Sequence, residues 1–176
     1  PVVSQAVGAR DTVAISRGVQ RGVVLAIAAT VVMSLFLWGG ETFFARLRQP
    51  PGVVPVTGAV LRLLIPGVIP SFLFVVARQS LQAMGRARAI VLSIIGANLL
   101  NVLLNWVLIY GHWGAPALGA EGSAISTTIC RWLSLVMVAR GGWDALRPTL
   151  RPWRPESLAA ARGEYRHFEP LLNGDR

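Results

Sequence analysis

The chain has 176 residues, 53% of them hydrophobic and only 14% charged, and its mean hydropathy is +0.55. Soluble domains carry about a quarter charged residues, and a chain of this length makes about one domain, too small to hide so much apolar surface in a core, so a soluble enzyme is excluded and lipid is the expected solvent. The net charge of +9 comes from 17 basic residues, every one an arginine; they fall between apolar segments, as in membrane proteins, with no basic-aromatic groove of the kind a nucleic acid needs.

The chain starts at Pro1 and not at Met, so it is expected to be cut from a longer protein. Residues 1–21 hold no continuous apolar run, so no signal peptide is expected among them. Four later windows are long and apolar enough for a bilayer core, which takes roughly 17–25 helical residues. They run over residues 22–38, 59–77, 89–110 and 122–139. A long connector over 39–58, with Pro50, Pro51, Gly52 and Pro55, separates the first two. A short basic one, 78–88, follows the second. A Gly/Pro-rich loop over 111–119 follows the third, with Tyr110 and Trp113 at interfacial depth. Past Arg140 the chain turns polar. The expected fold is all-α, a polytopic membrane helical bundle.

Arginine placement sets the expected orientation. Arg10, Arg17 and Arg21 precede the first window, Arg78, Arg86 and Arg88 lie in the short connector, and Arg140, Arg147, Arg151 and Arg154 follow the fourth window. The 111–119 loop has none, and the long connector has Arg46 and Arg48 against Glu41. Four spans put both termini on one side, and the positive-inside rule makes that side cytoplasmic.

In the third window Asn98, Asn101 and Asn105 are spaced i, i+3, i+7, which puts three amides on one helix face. Lipid offers amides no partner, so this face is expected to look into the bundle or a water-filled cavity, as a pathway wall or as structural glue between helices. Ser123, Ser126 and Thr127 in the fourth window read as small packing residues whose hydroxyls bond their own backbone. Arg131, near the middle of that window, has no acid within reach on its own helix, and its partner is expected from another element. Arg62, near a helix end, is expected to snorkel. Pro66 and Pro70 are expected to bend the second window, as a mobile hinge or as an ordinary membrane kink. One cysteine, Cys130, and two scattered histidines make neither a disulfide nor a metal site. No phosphate loop, no Ser/His/Asp set and no paired intramembrane carboxylates are present. No cofactor is expected, and uphill transport would draw on an ion gradient or another subunit.

The order of several segments carries a resemblance. Ser4-Gln5-Ala6-Val7-Gly8-Ala9-Arg10-Asp11 is followed by Arg78-Gln79-Ser80-Leu81-Gln82-Ala83-Met84-Gly85-Arg86. Then come Asn98-Leu99-Leu100-Asn101, Asn105, Ile109-Tyr110-Gly111, Gly114-Ala115-Pro116-Ala117-Leu118-Gly119 and Gly122-Ser123-Ala124-Ile125-Ser126-Thr127. In order and spacing, over about residues 2–147, this resembles the multidrug and toxic compound extrusion family. The resemblance implies helices 3 to 6 of a twelve-helix, two-lobe transporter. Residues 1–147 would be a partial N-lobe, in a plasma membrane with both termini cytoplasmic. It implies secondary active efflux of cationic drugs or other small organic solutes by antiport against protons or sodium. It further implies that Asn98, Asn101, Asn105 and Thr127 line the substrate or ion pathway. Some relatives carry an acid where this sequence has Asn105, so the position is expected not to titrate, and the family's helix-1 acid lies outside this chain.

The partners implied are the lipid bilayer, a cationic drug-like molecule, the coupling ion and the remainder of the transporter, with no nucleic acid. Residues 148–176 depart from the family, which continues into an apolar helix. Here Glu156, Arg162, Glu164, Arg166, Glu169 and Asp175 make a polar tail, expected to be disordered or aberrant, with the coding frame broken near Trp153. Two other readings stay open: a lipid-linked oligosaccharide flippase of the same superfamily, and a non-transporting membrane fragment.

Overall fold

The structure is a computed structural model and describes residues 2–9, 11–47 and 52–150. Among these it is all-helical. A short helix α1 (Val2–Gly8) leads into α2 (Thr12–Arg46), which is followed by α3 (Val53–Leu64), a 3-10 turn (Ile65–Gly67) and α4 (Val68–Ala83). Then come α5 (Ala87–Tyr110), a 3-10 turn (His112–Gly114), α6 (Gly119–Gly141) and α7 (Trp143–Leu150). Four stretches are long and apolar enough to cross a membrane: Thr12–Phe44, Val53–Ala83, Ala87–Tyr110 and Gly119–Gly141. The polar tail and the break expected near Trp153 lie outside the described residues.

The helices run beyond the apolar windows read from the sequence, for identifiable reasons. Asp11 caps α2: its carboxylate accepts from the amides of Val13 at 3.0 Å and Ala14 at 2.9 Å, two of the orphan donors of a helix start. The helix therefore begins ten residues before Gly22. At its other end Gly39 and Gly40 do not break it, because a membrane helix keeps its backbone bonds for want of any other partner. Gly40 is buried, and a side chain there would meet Leu61. The expected 39–58 connector shrinks accordingly, and Glu41, Phe43 and Phe44 are helical residues of α2.

The Val53–Ala83 span is interrupted where the prolines fall. Pro66 brings no N–H to the Arg62 carbonyl, and the Ile65 amide bonds that oxygen instead, in the tighter i→i+3 pattern. Past α4 the chain reverses at Gly85, whose φ of +74° suits glycine, and the Arg86 amide returns to the Leu81 carbonyl at 2.8 Å. Helices α5 and α6 form an antiparallel pair in close contact at three levels. A Cβ on Gly141 would stand 2.9 Å from the Ala89 Cβ, one on Gly96 2.8 Å from the Met137 Cε, and one on Gly122 2.5 Å from the Leu108 carbonyl oxygen.

The buried core lies toward the arginine-rich end, where Ala77, Leu81, Ile90, Val138 and Leu146 pack together. Helix α7 closes this end, turning off α6 at Gly142, where any side chain would strike Leu81. Elsewhere the outward faces are apolar: Leu25, Val32, Leu35, Phe36, Trp38, Leu92, Leu99 and Val102 are all exposed, as lipid-facing residues are.

Candidate functional site

The three amides do not share one environment. On α5 the residues buried in the bundle are Ile90, Ser93 and Ala97. Each helical residue advances about 100°, so the amide strip lies on the flank of that buried face. Asn101 and Asn105 are half-buried, and the Asn105 side-chain amide donates to the Asn101 side-chain oxygen at 3.0 Å. Asn98, one residue past buried Ala97, is exposed and makes no side-chain hydrogen bond among the described residues. The side-chain oxygen of Asn105 is buried and has no donor among the described residues. A buried acceptor without a donor costs roughly 1–3 kcal/mol.

Thr127 is half-buried on α6 and is not hydrogen-bonded to the amides. The pairing of Gly122 with Leu108 and of Met137 with Gly96 sets its depth between Asn101 and Asn105. Ser126 is fully buried and bonds its own backbone at the Gly122 carbonyl, 2.8 Å away, which is the packing role. The four residues picked out in the sequence thus resolve into a bonded pair and two separate positions.

A second polar constellation joins α6 to the proline kink. Thr128 Oγ1 donates to the Leu63 carbonyl at 2.8 Å, and Trp132 Nε1 donates to the Pro66 carbonyl at 3.1 Å. Pro70 has no N–H, so the Pro66 oxygen has no helical donor four residues on. Gly67 permits the approach: a Cβ there would lie 3.1 Å from both Thr128 Oγ1 and Arg131 Cδ. The sequence signal for this contact was present. A proline strips the donor from a carbonyl in an apolar span, and Trp132, one turn after Thr128, supplies it. Arg131 is half-buried beside the kink and makes no ion pair or hydrogen bond among the described residues. Arg62 does not simply reach outward: it pairs with Glu41 at 2.5 Å, next to Gly58, which leaves room for that carboxylate.

At the far end of α5, Gly111 turns the chain with φ +74° and is packed too tightly for a Cβ, which would stand 2.9 Å from the Ala117 amide nitrogen. The turn stacks His112 on Trp106 at a centroid distance of 3.9 Å, with Tyr110 and Trp113 edge-on around the pair. Among the described residues no three His, Cys, Asp or Glu side chains come together as a metal would require.

The MatE family model matches residues 1–107. The chain is similar to a protein of Agrobacterium fabrum (strain C58) named "Probable multidrug resistance protein NorM", with 31% identity over 161 residues, which is 89% of this chain and 35% of that protein. A protein of the same name from Bacillus cereus (strain ATCC 10987) is 34% identical over 138 residues, 78% of this chain and 30% of its own length. Another, from Geobacillus kaustophilus, is 34% identical over 130 residues, 73% and 29% respectively. The chain therefore spans about a third of the length of these curated relatives. No solved structure matches it.

Proposed function

The chain belongs to the MatE family, and from that premise we propose that it forms part of a secondary active exporter of cationic drugs or other small organic solutes, driven by proton or sodium antiport. The relatives' name, probable multidrug resistance protein, supports the efflux reading. The observation that carries it within this chain is the half-buried Asn101–Asn105 pair with its unpartnered Asn105 oxygen. In an apolar span such an acceptor is costly unless water, an ion, a substrate or further protein meets it. Thr127, on α6 at a depth between Asn101 and Asn105, and Asn98, one turn along α5, are the further polar positions of this reading.

An amide wall without an acid suits polar coordination of a passing cation and not proton exchange at Asn105 itself, so coupling belongs to a group elsewhere in the whole transporter. Alternating access needs two repeats rocking about a central site, so the activity belongs to this chain together with the rest of its transporter. The arginine-rich end faces the cytoplasm in this reading, with the protein in the plasma membrane.

The test is accumulation of a lipophilic fluorescent cation in efflux-deficient cells. The cells express either this chain or a version extended with the remaining helices of a relative. The extended version should lower accumulation, and collapsing the proton or sodium gradient should abolish the effect. Asn105→Leu in the extended version should weaken it about tenfold. If the extended version inserts in the membrane and leaves accumulation unchanged, the export reading falls. If it exports and Asn105→Leu has no effect, the amide wall is structural.

A further inference from the structure

We propose that the outward face where α6 passes into α7 is a binding site for an anionic diacyl phospholipid, with an acyl chain in a groove beside Val136 and Ala139 and the phosphate at Arg140. Val136, Ala139, Arg140 and Trp143 line an open groove of about 550 Å³, within the size range of small-molecule sites. Their spacing, i, i+3, i+4 and i+7, continues one helix face across the Gly141–Gly142 turn. That face is opposite to the one carrying buried Val138, and Val136 and Trp143 are both exposed. The apolar lining lies along the last turns of a membrane span, and the charged and indole groups lie where the span ends.

Charge complementarity identifies the occupant. Arg140 is exposed at the rim and makes no ion pair or side-chain hydrogen bond among the described residues. The close contact between Gly141 and Ala89 brings the start of α5 to the same level, so Arg88, exposed and unpaired among the described residues, adds positive charge to this end of the bundle from outside the groove. Asp144, the neighbouring acid on α7, does not line the groove. A hydrocarbon groove ending in a free guanidinium and an indole matches a lipid with a negative headgroup. Arginines at an anionic surface attract such headgroups, and an exposed tryptophan sits at headgroup depth. A soluble anion would leave the apolar part of the groove empty. The argument needs only that this end of the bundle meets a bilayer surface, whichever surface it is, and is independent of the export reading.

The test reconstitutes the chain in phosphatidylcholine vesicles containing a minor fraction of acyl-brominated phosphatidylglycerol or, at equal fraction, acyl-brominated phosphatidylcholine. The fluorescence difference between wild type and Trp143→Phe isolates Trp143. Brominated phosphatidylglycerol should quench that signal several-fold more strongly than brominated phosphatidylcholine, and soluble glycerol phosphate should not relieve it. Arg140→Gln should lower the preference roughly fivefold or erase it, whereas Arg17→Gln, an equal charge change on exposed α2 surface away from the groove, should leave it intact. Native mass spectrometry of lipid adducts on the same variants gives a second readout that does not depend on tryptophan. Equal quenching by the two lipids, quenching by neither, relief by glycerol phosphate, or an Arg17→Gln effect as large as that of Arg140→Gln would each overturn the proposal.

Discussion

The indole nitrogen of Trp132 donates to the Pro66 carbonyl at 3.1 Å, the oxygen that Pro70 leaves without a helical donor. This bond and its neighbour from Thr128 to Leu63 let a helix lose backbone bonds inside an apolar span without leaving carbonyls bare. The arrangement makes a specific coupling prediction. Trp132→Phe keeps the ring and removes the donor, and side-chain hydrogen bonds in membrane proteins are worth about 0.6 kcal/mol on average and up to about 1.7. The substitution should therefore cost about 1 kcal/mol. Pro70→Ala restores an N–H four residues past Pro66, so in that background Trp132→Phe should cost at least about 0.5 kcal/mol less. Unfolding of the chain in mixed micelles, followed by circular dichroism, measures both. Equal costs in the two backgrounds would mean that the indole bond does not serve the orphaned carbonyl.

Gly122 allows α5 and α6 to meet at backbone distance. A methyl group there would stand 2.5 Å from the Leu108 carbonyl oxygen, which also accepts from the Leu118 amide at 2.9 Å. Backbone cannot move aside as a side-chain tip can. Gly122→Ala should therefore destabilise by about 1–3 kcal/mol through overpacking, despite alanine's helix advantage of about 1 kcal/mol. Gly39 is the matched control: it lies inside α2, and a Cβ there would find nothing within 4 Å. Gly39→Ala should be neutral or stabilising in the same unfolding experiment. A Gly122→Ala protein as stable as wild type would show that the two helices separate at little cost.

The four spans were legible because runs of apolar residues long enough for a bilayer admit few other solutions. Their ends were less so. Gly39 and Gly40 read as breakers in water, yet inside α2 the backbone has no better partner than itself, and only the fold shows Gly40 pressed on Leu61. Local spacing did foretell that Asn101 and Asn105 share a face, since i, i+4 is a contact distance on any helix. It could not foretell that Asn98 would be exposed on the same strip, because that depends on which side of α5 the neighbouring helices cover: contacts at Gly96 and Leu108 bracket Asn98 in depth, yet its side chain is left outside them. The Trp132–Pro66 bond spans 66 residues of sequence and Arg62–Glu41 spans 21. Both required knowing which helices cross.

The Glu41–Arg62 pair is short, at 2.5 Å, but its side chains are 38% and 62% exposed. Exposed pairs are worth about 0–1 kcal/mol and are screened by salt. Glu41→Gln should cost less than about 1 kcal/mol at low salt and nearly nothing at about 0.5 M. A loss above about 2 kcal/mol that salt does not reduce would place the pair in lipid or under further protein, where breaking one partner leaves a bare charge.

Gln20 is 2% exposed and its side-chain amide donates to the Thr149 carbonyl at 3.1 Å, tying the last turn of α7 to α2. Eight residues are too few for an independent helix in water, and Pro148 inside α7 weakens it further. Its helicity must come from docking, which includes Leu146 in the core and this long-range bond. Gln20→Leu keeps the volume and removes the donor, leaving the buried end of α7 without its anchor. Hydrogen exchange should then speed up about tenfold at the amides of residues 143–150, the rate change that about 1.4 kcal/mol produces and within the cost of an unsatisfied buried carbonyl. Amides in the middle of α5 and α6 should not change. Leu146→Ala, which opens a cavity against Leu81 and Val138, should release α7 as well, at a cost of about 2–5 kcal/mol. Should Leu146→Ala free α7 while Gln20→Leu leaves its exchange untouched, apolar packing alone holds the helix and the Gln20 bond follows docking instead of causing it.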